Sequence, residues 1–102
     1  TLLNDEMFLE MARALADRAM NASGESAAGR AQLLFRLLLT RPASQEELTA
    51  ILAFQEKQRK RFQEGELQAA QIAGKKQADA ELASWVMVAR TLMNLDETIT
   101  RH

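Results

Sequence analysis

The side chains able to carry chemistry are few and scattered. His102 is the only histidine and the last residue, whereas a general base needs a held geometry that a chain end rarely supplies. There is no cysteine, which removes disulfides, thiolate nucleophiles, cysteine-ligated metals and covalent haem attachment. A zinc or haem site built within the chain is therefore not expected. Carboxylates stand in neighbouring pairs at Asp5/Glu6, Glu46/Glu47 and Asp96/Glu97. Neighbours on one helix point in different directions, so none of the pairs makes an acid/base dyad. The first two fall in first helical turns, where negative charge suits the positive helix end; Asp96 and Glu97 have no such purpose. Gly24, Gly29, Gly65 and Gly74 are too dispersed for a phosphate loop, and no serine sits in a nucleophile elbow. No catalytic, cofactor-binding or metal-ligating residue is assigned, and no cofactor is expected.

The basic cluster Lys57, Arg59, Lys60 and Arg61 invites a nucleic-acid reading, with a helix–turn–helix around Pro42 to present it. Against this, Glu56 and Glu64 each lie four residues from Lys60, and residues 45–66 carry five acids and four bases. That balance leaves no net footprint for phosphates, so a solvated helix face is the expected role and no nucleic-acid partner is assigned. Met7, Met11, Met20, Met87 and Met93 follow helical spacing and read as core filler, Met87 being the exception that lies off the main stripe. Arg36 and Arg90 interrupt otherwise apolar helices. Each either lays its stem on apolar surface with its head in water, or pairs with Asp96 or Glu97.

These groups need helices to hold them. In 102 residues there are four Gly, one Pro and no Tyr, and Ala, Leu, Glu, Gln, Lys, Arg and Met dominate. That composition predicts an all-α fold, an antiparallel bundle of four main helices with a short extra piece after Gly65, in a single domain over 1–102. Net charge is −1, from 13 basic and 14 acidic residues, so no field draws in polyanions. Arg36 and Arg90 interrupt the two most apolar runs, so no membrane span is expected.

The first helix is expected from Asn4 or Asp5, with Asn4 as cap, Leu3 and Phe8 as a hydrophobic staple, and Phe8, Met11, Ala12, Leu15 and Ala19 as its inner face. Residues 21–26 read as a loop. The second helix runs from Ala27 to about Thr40, and Leu33, Leu34, Phe35, Leu37, Leu38 and Leu39 nearly encircle it, which predicts a hub walled in by the others. Pro42 stops it, and Ser44 with Glu47 forms a capping box for the third helix. Gln55, Gln58 and Arg59 in the middle of that helix predict a half-buried far end that projects from the bundle. The fourth helix starts near Asp79 and buries Leu82, Trp85, Val86, Ala89, Leu92 and Met93. Its uncharged back is Ser84, Met87, Thr91 and Asn94, and its pattern fades by Leu95.

Three passages together carry a family resemblance: residues 1–18 (TLLNDEMFLEMARALADR), 33–48 (LLFRLLLTRPASQEEL) and 85–102 (WVMVARTLMNLDETITRH). They resemble the C-terminal end of the planctomycete-type domain of unknown function found in large exported proteins that also carry cytochrome c-like domains. The resemblance implies an exported or envelope location, a longer domain beginning upstream of Thr1, and a non-catalytic accessory or interaction role. The uncharged back of the fourth helix and the abrupt start at Thr1 point to the upstream part of the same polypeptide as partner, docking on that helix and the N-terminal leucines, beside a possible homo-oligomer. Candidate interaction residues are Asn94, Asp96, Glu97, Met87 and Arg90. A catalytic alternative would have Asp96 and Glu97 complete a site shared with upstream residues.

Overall fold

The computed structural model describes the backbone of residues 5–22, 26–65, 72 and 80–100, and within these the side chains of 6–21, 26–65, 72 and 80–94. Every regular element among them is helical: α1 (Asp5–Ala22), α2 (Ala27–Leu39), α3 (Gln45–Gln63) and α4 (Ala80–Thr100). The chain is all-α, an antiparallel four-helix bundle. Its sense shows in the pairing of α3 with α4, where Gln55 meets Ser84 while Ile51 and Phe54 line one groove with Val88 and Leu92. The staple from Leu3 to Phe8, the cap at Asn4, the extra piece at 67–73 and the position of His102 fall outside the described residues, apart from a helical Ile72.

Local chemistry sets the helix ends. Ser26, in extended backbone, accepts the Gly29 N–H at 3.0 Å and opens α2. The helix closes one step before Pro42 acts, at Thr40, whose φ of 59° is left-handed and whose N–H reaches the Arg36 carbonyl. A β-branched residue is strained there, and the turn that follows holds it. Ser44 and Glu47 form the expected reciprocal capping box, at 2.8 and 3.2 Å. Arg41 grips the Glu47 carboxylate with two nitrogens at 2.9 and 2.8 Å and stacks 4.9 Å above the Phe35 ring. The Gln32 amide closes the same turn by accepting from the Ala43 N–H and donating to the Ala43 carbonyl. Pro42 thus sits in a turn fastened to both helices.

The Arg41 hydrogen bonds, reinforced by the Ser44 backbone, hold the Glu47 carboxyl at a pKa of about 2, against an ordinary 4.5. A depressed carboxyl stabilises the fold above its unfolded pKa and loses that contribution as pH falls through the folded value. The window for the turn is therefore pH 4.5 down to about 2. Carbon-detected NMR titration should place Glu47 near the bottom of that window, and Arg41→Ala should move it back toward the ordinary range. An unshifted Glu47 in the unmodified chain would contradict the turn geometry.

The hub is α4, not α2. It packs on all three other helices, most extensively on α1 and α3. Leu82 to Val86, and then Val88, Ala89, Leu92 and Met93, are all buried, Trp85 and Val86 completely. Small side chains make this possible: Ala83 and Ala89 on α4, like Ala12, Ala16 and Ala19 on α1, have no exposed surface and allow the helices to approach closely. On α2 only Ala31, Leu34 and Phe35 are buried; Leu33, Leu37, Leu38 and Leu39 are half-covered and Arg36 is exposed with its head in water. A ring of leucines needs neighbours on every side, and α2 stands at an edge with neighbours on only part of its circumference. Nor does α3 project. Gln55, Gln58 and Phe62 are all buried, and α4 offers Gln55 a polar partner in Ser84. The methionines divide: Met93 is core, whereas Met7 and Met11 are 51% and 45% exposed because α1 buries its alanines instead.

Candidate functional site

Two features stand out from ordinary packing, a buried polar layer and an open apolar groove. The layer is centred on Glu81 in the first turn of α4, where a carboxylate also suits the helix end. Its Oε2 accepts from Trp85 Nε1 at 2.7 Å, from Arg30 Nη1 at 3.0 Å and, more weakly, from Gln55 Nε2 at 3.5 Å. Gln55 Nε2 also donates to Ser84 Oγ at 2.8 Å, and Ser84 Oγ donates to the Glu81 carbonyl at 2.6 Å. The layer ties α2, α3 and α4 into one register. Its chemistry is structural: donors from α2, α3 and α4 converge on one carboxylate oxygen. Beside it the Gln58 Oε1 is buried with no hydrogen-bond partner among the described residues.

The groove lies further along the same helix pair. Ala50, Ile51 and Phe54 of α3 face Val88, Thr91 and Leu92 of α4 across a space of about 200 Å³. Val88 and Leu92 make its buried floor, while Ala50 and Thr91 are exposed at its rim. The walls are almost wholly apolar, so the groove can take apolar side chains but offers nothing to orient a reacting group.

Among the residues singled out from sequence, Met87 is half-buried and does not line this groove; Arg90 is half-buried and Asn94 exposed along the same stretch of α4. Asp96 and Glu97 lie within α4, whose backbone continues past Leu95 to Thr100; their side chains, and any pairing with Arg36 or Arg90, lie outside the described residues. The uncharged back of α4 is not one face in this structure. Ser84 is wholly buried against Gln55, and only the part from Met87 onward is open.

Lys57 and Lys60 are exposed on α3, Arg61 is half-buried, and Arg59 pairs with Glu56 through two nitrogens. That pairing lowers the pKa of Glu56 and raises that of Arg59. The N-terminal end of α3, which a recognition helix would point at bases, carries Glu46 and Glu47. Among the described residues no cluster of three His, Asp or Glu is arranged to hold a metal ion, and no helix is long and apolar enough to cross a membrane. Arg30, Gln55, Glu81 and Ser84 went unnoticed as a group in the sequence. Their only signal was that each interrupts an apolar stripe. The chain matches no protein-family model, no curated protein and no solved structure.

Proposed function

We propose that this domain is a non-catalytic interaction module, an accessory part of a larger exported, cytochrome-associated protein of the kind its sequence resembles. The observation that supports it most directly is the open side of α1. Met7 and Met11, one helical turn apart, keep about half their surface in water while the helix core is built from alanine. Flexible thioethers suit a recognition surface. The partner for this side is the upstream part of the same polypeptide that the resemblance implies. Calorimetric titration of the domain with that upstream part should give saturable binding. The double variant Met7→Glu/Met11→Glu should weaken it by about tenfold or more while leaving the helical circular dichroism intact. No heat and no co-migration at high concentration would overturn the proposal.

Nucleic-acid binding through Lys57, Arg59, Lys60 and Arg61 is the weaker reading, because Arg59 is engaged by Glu56 and the leading end of α3 is acidic. A phosphate binder retains non-specific affinity at low salt, so a gel shift against mixed duplexes separates the two readings.

A further inference from the structure

The five methionines are shielded to very different degrees. Met93 belongs to the core with 6% of its surface exposed, and Met20 packs against that core. Met87 is half-buried on α4. Met7 and Met11 are 51% and 45% exposed. Lying four residues apart on one helix, they share a face. Peroxides reach a thioether in water directly, whereas one enclosed by helices is reached only when the structure opens. Oxidation turns a flexible apolar side chain into a polar one. At Met93 the new oxygen would need room inside the bundle. At Met7 and Met11 it changes a surface, because α1 turns Phe8, Ala12, Ala16 and Ala19 to the core.

We propose that Met7 and Met11 form a modification site, at which a peroxide makes a pair of sulfoxides that releases the partner from the α1 side. The release rests on the docking reading given above, and the selectivity of the oxidation does not. Each sulfur gives a lone pair to one peroxide oxygen. An S–O bond forms as the O–O bond breaks, and the other oxygen takes up a proton and leaves as water, or as an alcohol from an organic peroxide. The sulfur is oxidised by two electrons and the peroxide reduced by two. Two sulfoxide oxygens then stand one helical turn apart where apolar contact was made, and each must shed its water before the partner can cover it again. A thiol-dependent sulfoxide reductase returns the electrons and restores the thioethers, so the release is reversible.

Hydrogen peroxide applied to the folded domain tests this, with the methionine methyl NMR signals reporting each site separately. Met7 and Met11 should convert first, and Met93 more slowly by about tenfold or more. Circular dichroism should stay unchanged after the first two conversions. Catalase then removes the peroxide, and calorimetry with the untreated upstream part should show affinity reduced by about tenfold or more and recovered after reductase treatment. The variant Met7→Leu/Met11→Leu keeps an apolar face without sulfur, and it should bind equally well before and after peroxide. Met20, Met87 or Met93 reacting as fast as the α1 pair overturns the proposal, as does loss of helicity on the first two conversions. An oxidised domain that binds as tightly as the untreated one overturns it and leaves the docking reading standing. Absence of binding by the untreated domain overturns the docking reading and the release together.

Discussion

Trp85→Ala is expected to be the most damaging single substitution in the chain, at about 3–5 kcal/mol. Trp85 is the largest fully buried side chain among the described residues, and it stands in the second turn of α4 within the cluster formed with Phe8, Leu34, Val86 and Leu92. Alanine removes the indole's apolar contacts and leaves a void that three neighbouring helices cannot fill together. It also strips the Glu81 carboxylate of its 2.7 Å indole donor. Small domains hold only about 5–15 kcal/mol in total, so the variant has little stability left. Trp85→Phe separates the two causes, since it keeps most of the volume and loses the N–H; about 1–2 kcal/mol is expected. Urea unfolding followed by circular dichroism measures both. A Trp85→Ala midpoint close to that of the unmodified protein would mean that α4 is not the centre of the core.

Glu81→Ala is expected to cost about 2–4 kcal/mol, which is unusual for a residue with a third of its side chain exposed. The cost comes from what it leaves behind. The Arg30 side chain, only 14% exposed, loses the carboxylate it binds, while Trp85 Nε1 and Gln55 Nε2 lose an acceptor. Solvent reaching Glu81 screens part of the ion pair, and for that reason the expectation stays below the range for a fully buried pair. A double-mutant cycle with Arg30→Met isolates the pairing. The two substitutions together should cost clearly less than the sum of the singles, with a coupling of about 1–2 kcal/mol. Additive losses would mean that Arg30 and Glu81 are neighbours without being partners.

Much of the local structure was legible in the residues. The capping box Ser44/Glu47 needs only a hydroxyl and a carboxylate three residues apart at a helix start, and both bonds form. The inward stripe Leu82, Trp85, Val86, Ala89, Leu92 and Met93 is buried as its spacing predicts, because periodicity is a property of one helix and needs no partner to be seen. The candidate site was far less legible. Ala50 and Phe54 carry no chemical signature and become a wall only when α4 lies across from them.

The turn at Arg41–Glu47 shows where the boundary runs. Proline and the capping box are visible in sequence, whereas the Arg41 stack on Phe35 and the grip of Gln32 on Ala43 require two helices to have met. The amino-acid order alone determined that this chain is helical, roughly where its helices begin, and which face of each is apolar, because those follow from backbone propensity and side-chain spacing within a few turns. Tertiary packing alone decided that α4 rather than the leucine-rich α2 lies at the centre, that Gln55 and Gln58 go inside, and that a groove stays open. Whether a side chain is enclosed depends on how many neighbours surround its helix and how closely their small residues let them approach, and no single segment contains that information.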